Sequence, residues 1–373
     1  MSVAAGLLLL TGGTGLVGRE LFRRLHLTRP DLRIVLLTRQ PAALDAVARG
    51  EGVRILAGDL RRPDLGLPPV MARELHANLT AIIHCAAETR FDRPLEESRA
   101  INTQGTANLL SLAACCPRLE KFAHLSTTYI VGRSVGHMPE QPCWHDQGFV
   151  NTYQQSKYEA EQVVLESLHR IPVAIFRLST LIGDAATGRV GQFNYLHHFL
   201  KLFPHLCVMP MFPADRSARL DLVPTDWATA ALAHLFVSRF IPGRVYQVCA
   251  GPAASPTIQQ LLDMVLEIFA RHPAGQRWQP IRIPPLVSLA AYEEFMAHWE
   301  EGNALCRELI RVLGHFVPHI ALHQTFANHH VLDGVRECGL ELPSIHACFG
   351  RVVRYCLDTN WGRHHPEKHA LPR

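Results

Sequence analysis

No stretch of this 373-residue chain approaches the roughly 20 consecutive apolar side chains that span a bilayer, so stable membrane insertion is not expected. The opening MSVAAGLLLL has neither the basic start nor the small-residue cleavage pattern of a secretory leader, and it reads as a first buried strand. Ten cysteines are present without a single CxxC, which excludes the usual redox and zinc spacings and implies reduced thiols in a cytoplasmic protein. HExxH and Cys/His ligand spacings are missing as well. The 22 histidines include the adjacent pairs His197-His198, His329-His330 and His364-His365, but neighbouring side chains on a helix diverge, so no metal site is expected. Neither charge sign is in excess: 37 basic against 33 acidic residues, spread along the chain, give +4 and point away from nucleic acid. Low-complexity tracts and internal repeats are also lacking, which excludes disordered and solenoid architectures.

What is present is alternation. Short apolar runs at 7–11, 33–38, 53–57, 80–85, 121–127 and 173–177 are separated by amphipathic stretches at 16–27, 41–49, 95–115 and 153–170. That pattern predicts an α/β chain with a Rossmann-type doubly wound parallel sheet over residues 1–180. A helix at 227–239 and a strand at 244–249 predict additions to the sheet from about 215–250. The remainder of 181–373, with helices at 258–271, 286–317 and 346–357, reads as a smaller, mostly helical substrate lobe, and the terminal HHPEKHALPR as a frayed tail.

The string TGGTGLVG joins the first strand to the first helix. Gly12, Gly15 and Gly18 let backbone approach a pyrophosphate, and Thr11, Leu16 and Val17 complete the turn at the positive end of the helix. A tight structural turn would use the same glycines, but the strand before and helix after favour dinucleotide binding. The second strand ends Leu37-Thr38-Arg39, where an acidic residue would bind the ribose 2′-hydroxyl of NADH. Arg39, with Arg19, instead suits the 2′-phosphate of NADPH, unless it is a solvated surface arginine. Gly58-Asp59-Leu60 offers either an acceptor for the adenine amine with leucine against the ring, or a plain turn.

With only four lysines and seven tyrosines, a Tyr-x-x-x-Lys spacing rarely arises by chance, yet Tyr153 and Lys157 share one helix face. A neighbouring ammonium lowers a phenol pKa and suits the tyrosine to proton transfer with a substrate oxygen. Strand-end hydroxyls precede the pair: Thr127, with Ser126 second, would polarise the carbonyl, or else close a turn. Asn102 either holds a bound water near Lys157 or makes local helix bonds. Tyr158 has glutamine four residues on and reads as a helix-face aromatic. Phe193, Tyr195, Phe199 and Phe203 are spaced to line an acyl channel or to pack a core.

Taken in order, TGGTGLVG, Gly58-Asp59-Leu60, His84-Cys85-Ala86-Ala87, Asn102 with Gly105-Thr106, STTYIVG and Tyr153-x-x-x-Lys157 make residues 7–250 resemble the extended short-chain dehydrogenase/reductases. AAETRFDRPLEESRAINTQGT, YQQSKYEAE and RLSTLIGDAATG are most similar to the branch of thioester reductase domains and fatty acyl-CoA reductases. The resemblance implies NADPH-dependent reduction of a CoA- or carrier-bound acyl thioester to aldehyde or alcohol. It also implies Tyr153 as acid, Lys157 tuning it and holding the nicotinamide ribose, Thr127 polarising the oxygen, Ala86, Ala87, Leu178 and Ser179 against the cofactor, and a homodimer. Relatives usually carry Arg-Pro-Ser where this chain has Arg177-Leu178-Ser179, which implies a differently shaped nicotinamide-side loop. No adenylation or carrier segment is attached, so reduction or oxidation of a ketone, hydroxyl or cyclic intermediate in secondary metabolism is the alternative. An NAD-retaining nucleotide-sugar epimerase or dehydratase, and a non-enzymatic nucleotide sensor, are further alternatives; the intact Tyr153 and Lys157 oppose the last.

Overall fold

A computed structural model of the chain describes residues 6–44, 51–299 and 304–363. Its centre is a seven-stranded sheet: β1 (Leu7–Thr11), β2 (Arg33–Thr38), β3 (Val53–Ala57), β4 (Leu79–His84), β5 (Lys121–Thr127), β6 (Val173–Leu178) and β7 (Val245–Val248). The spatial order is β7-β6-β5-β4-β1-β2-β3, and every neighbouring pair is parallel. Parallel strands need helical crossovers, which cover both faces and explain why these runs are apolar on successive residues rather than alternate ones. Leu8, Leu10, Ile34, Leu36 and Phe176 point to one side, packing on α1 (Leu16–Thr28) and α6 (Thr225–Ser238). Leu7, Leu9, Val35, Leu37 and Ile175 point to the other, against α2 (Pro69–Asn78), α3 (Leu95–Ala114) and α4 (Thr152–Ser167). The strand order reverses between β1 and β4, opening a crevice at the carboxyl ends of the strands.

A third core fills the helical lobe, where α5 (Tyr195–Leu202), α7 (Ile258–Arg271), α8 (Leu289–Ala297), α9 (Ala304–Leu313) and α11 (Ile345–Asp358) converge. Between α9 and α11 runs α10 (His329–Arg336), which packs on α6 and β7. Three separate two-stranded parallel pairings lie outside the central sheet. Thr180–Leu181 pairs with Leu222–Val223, Phe212–Pro213 with Leu286–Val287, and Gly136–Met138 with Gln324–Phe326.

The alternation predicts this sheet strand for strand, and β7 is the expected addition from 215–250. Two expectations differ. The helix predicted over 286–317 is broken: it opens with the Leu286–Val287 strand, and α8 and α9 are separate helices. The helix predicted over 41–49 opens as a 3₁₀ turn at Pro41–Ala43, because Pro41 starts it, and its later residues lie outside the described ones. The first five residues and the terminal tail, including His364-His365, also lie outside them. Among the described residues, no helix is long and apolar enough to cross a membrane.

Candidate active site

The glycine turn works through three separate constraints. Gly12 has φ of 75°, and a Cβ there would lie 2.6 Å from the Ala86 nitrogen, so the turn touches the loop after β4. At Gly18 a Cβ would lie 2.2 Å from the Gly12 carbonyl oxygen, which brings α1 directly onto the turn. Gly15 caps α1 with no side-chain bond to its first amides, and the residues from Leu16 to Gly18 border the crevice. Free amides at a helix N-terminus beside bare backbone are what a pyrophosphate requires, so the residues fit a dinucleotide.

The crevice is a cleft of about 720 Å³. Following the strand order, Arg39, Asp59 and Leu60 after β2 and β3 border one end, Ala86 and Ala87 after β4 its middle, and Ser126, Thr127, Tyr153, Lys157, Leu178 and Ser179 the other. Asp59 is less available than its motif suggests. Arg61 donates to both its carboxylate oxygens, the shortest contact being 2.6 Å, and this ion pair, aided by Arg39, holds the carboxyl down at about 2. An adenine amine would have to share that acceptor. Arg61 itself borders the cleft and shows in the sequence only as the basic residue directly after Gly58-Asp59-Leu60.

Three expected cleft residues stand behind the site instead. Thr11 is fully buried; its hydroxyl bonds His84 Nδ1 at 2.8 Å and accepts from the Ala86 amide. The other ring nitrogen of His84 meets Thr106 Oγ1 at 3.0 Å, and burial, with Lys157 nearby, pushes the ring down to about 3, so it stays neutral. Arg19 does not border the cleft: its guanidinium lies close to Gly191. Asn102 spends both functions of its amide on structure, accepting from the Glu88 amide and donating to the Glu88 carbonyl and to Ser156 Oγ. It therefore fixes the 86–91 loop against α4 and is a positioning residue.

The inner end gathers the expected reactive groups. Asn151 caps α4 by accepting from the Gln154 amide, so Tyr153 enters on the first turn and Lys157 one turn later. Lys157 is 2% exposed, and its Nζ donates to the Leu125 carbonyl at 2.7 Å. Burial pushes the ammonium down to about 8. Burial also pushes the Tyr153 phenol up to about 12, against a hydrogen bond from Thr127 that lowers it. The expectation that Lys157 lowers this phenol is thus corrected: desolvation dominates, and the ammonium is engaged by a backbone carbonyl. Thr127 Oγ1 accepts from the Tyr129 amide, whereas buried Ser126 Oγ has no hydrogen-bond partner among the described residues.

Several site residues escaped the sequence reading. Phe91 stacks on Tyr153 at 5.6 Å and on Tyr195 at 4.0 Å, and the Tyr195 hydroxyl accepts from the Phe91 amide at 2.7 Å. The Tyr129 hydroxyl lies 2.7 Å from Thr180 Oγ1. These residues meet only through tertiary contact, and their one signal was aromatic spacing around Tyr195. Tyr158 packs against His145 and Phe149, as a helix-face aromatic does. The expected divergence of His329 and His330 is not seen, because they start α10 rather than lie within it. Both approach buried Glu140, giving three potential ligands within 4.8 Å. Glu140 already accepts from the Gln247 and His330 amides, and His330 Nδ1 donates to the Val245 carbonyl, so the group serves as a cap joining α10 to β7.

The sequence profile of the male sterility protein family matches residues 10–232. The isonitrile lipopeptide synthase of Streptomyces coeruleorubidus is 31% identical over 94% of this chain but only 24% of its own length. The fatty acyl-CoA reductase wat of Drosophila melanogaster is 26% identical over 60% of this chain and 52% of its own. The chain therefore spans between about a quarter and a half of these curated relatives. Among solved structures, the terminal R domain of the myxalamid PKS-NRPS biosynthetic pathway superposes with a TM-score of 0.76 at 23% identity, covering 97% of this chain and 93% of that one. The UDP-glucuronic acid 4-epimerase of Bacillus cereus superposes with a TM-score of 0.61 at 16% identity, over 95% of this chain and 99% of that one, which places both within one nucleotide-binding fold. With more than half its length matched by the family profile and a dinucleotide fold around Tyr153 and Lys157, the chain belongs to the male sterility protein family.

Proposed function

We propose that this protein is an NADPH-dependent reductase of acyl thioesters, carried on coenzyme A or on a carrier protein, that releases an aldehyde. The observation that carries the reading is the meeting of Tyr153, Thr127 and Lys157 at the inner end of a cleft whose outer end carries Arg39 and Arg61. The names of two relatives, a fatty acyl-CoA reductase and a lipopeptide synthase, support the same substrate class. Gly12, Gly15 and Gly18 would hold the pyrophosphate, and Arg39 with Arg61 the 2′-phosphate. The chemistry supplied by a bound nicotinamide is delivery of a hydride to the carbonyl carbon.

The protein's own groups manage the proton. Tyr153, kept protonated by burial, donates its phenolic proton to the carbonyl oxygen as negative charge develops there. Ser126 and Thr127, both nearly buried in the cleft wall, supply hydroxyls beside that oxygen. The resulting hemithioacetal loses its thiol as the C–S bond breaks, leaving aldehyde. Lys157 holds a positive charge near the phenolate that Tyr153 becomes, and this charge exists only below about pH 8. Reduction is therefore expected to hold a plateau at lower pH and to fall as pH rises through about 8, read as kcat/KM against pH. A profile flat across that point would remove Lys157 from the proton economy.

The deciding experiment incubates the purified protein with NADPH and acyl-CoA or acyl-carrier thioesters, following loss of reduced nicotinamide and appearance of aldehyde. Aldehyde formed in step with cofactor loss is expected; turnover of a ketone or nucleotide sugar with thioesters untouched overturns the reading. Arg39→Ala should weaken NADPH binding by about ten- to a hundredfold, the loss of one charge-assisted contact, with little change for NADH in calorimetry. Equal losses for both cofactors would reject the 2′-phosphate assignment.

A further inference from the structure

Beside the cleft, the helical lobe holds a second, partly open cavity lined wholly by apolar side chains, among them Phe199, Phe203, Phe212 and Leu261. Its volume of about 70 Å³ holds on the order of five water-sized groups. The two spaces are neighbours: Leu196 and Phe316 border both the cavity and the cleft. Helix α5 runs from one to the other. Tyr195, at its first turn, faces the cleft and stacks on Phe91, which in turn stacks on Tyr153. Leu196 comes next at the partition, and Phe199 and Phe203 follow inside the cavity.

We infer that this cavity receives the apolar tail of the acyl group whose carbonyl is presented to Tyr153, and that Leu196 and Phe316 at the partition set acyl-chain selectivity. The inference rests on the thioester-reductase reading above. An apolar cavity left empty costs packing contacts and stays dry, so it suits a hydrocarbon guest. The same lining cannot satisfy the hydrogen bonds of a sugar or a peptide, whose burial there would be unfavourable. The expected sequence spacing of Phe199 and Phe203 thus serves the channel, while Phe193 and Tyr195 border the cleft.

The test is a series of straight-chain thioesters, acetyl-, butanoyl-, hexanoyl- and decanoyl-CoA, assayed with NADPH. Each methylene that reaches the cavity should raise kcat/KM about fourfold, so hexanoyl-CoA should exceed acetyl-CoA by on the order of a hundredfold. Leu261→Trp, which fills the cavity, should cut that ratio at least tenfold, by about the worth of two such methylenes. Ala214→Phe narrows the same cavity and replaces that variant if it folds poorly. A ratio unchanged by a filled cavity overturns the inference while leaving thioester reduction standing. If no thioester is reduced at all, the functional reading fails, and binding of decanol alone decides the cavity. A rise in Tm with decanol that Leu261→Trp abolishes supports the tail site, and no rise in the unsubstituted protein overturns it.

Discussion

Replacing Tyr153 with phenylalanine should lower kcat for thioester reduction by about 10²- to 10⁴-fold while leaving NADPH affinity within roughly twofold. The two effects separate because the substitution keeps the ring that stacks on Phe91 and removes only the hydroxyl. The phenol is half-buried at the cleft wall and desolvation holds it up to about 12, so it keeps its proton through the neutral range and, in the proposed reaction, is the group that gives it away. The other ionisable groups described at this end are engaged: Lys157 donates to the Leu125 carbonyl, the Tyr129 phenol pairs with Thr180, and His84 is held neutral behind the site. Steady-state kinetics and a cofactor titration on the same preparation test this. A variant retaining near-normal kcat would move the proton-donor role off Tyr153.

A comparably large effect is expected far from the reacting atoms. Glu161 and Arg177 are 0% and 1% exposed and face each other across a bidentate ion pair, with contacts of 2.8 to 3.2 Å. Glu161 sits one turn beyond Lys157 on α4, and Arg177 precedes the Leu178 and Ser179 that border the cleft. The pair therefore joins the helix that carries Tyr153 and Lys157 to the strand that leads to Leu178 and Ser179. Glu161→Gln leaves a guanidinium buried without its counter-charge, which costs about 3–5 kcal/mol. The Tm should fall by about 4–6 degrees. Replacing both residues with methionine should recover much of the loss, since two apolar side chains need no compensation. The same carboxylate raises the Lys157 pKa, so its removal should also move the alkaline fall in activity to lower pH. Thermal unfolding unchanged in Glu161→Gln would show the pair to be dispensable.

Much of this was readable before any coordinates. The sheet is legible because a parallel strand covered on both faces must be apolar along its length, and Leu7 to Leu10 or Ile34 to Leu37 advertise that directly. The turn and the Tyr153–Lys157 pair are legible because their chemistry depends on local spacing, which sequence preserves. What failed to show depends on partners distant in the chain. Asp59 looked free until Arg61 folded onto it; Thr11 and Asn102 looked like ligand groups until His84 and Glu88 claimed them. The lowered phenol expected beside Lys157 was a local inference defeated by burial, a property of the whole fold. Glu140 meets His329 and His330 across 190 residues of chain, and nothing in their spacing announces it.

The sheet's seventh strand has a consequence for how the protein is made. β7 reaches β6 only after the intervening 179–244 segment has been synthesised, and Gly136–Met138 waits still longer for Gln324–Phe326. Chains fold from the N-terminus as they emerge from the ribosome, so β6, buried along Val173 to Arg177 in the finished protein, spends that interval as an open edge. An open apolar edge invites pairing with other chains. The nucleotide half is thus not an autonomous module that acquires a lobe later: translation must pass through the first part of the lobe before the cofactor sheet can close.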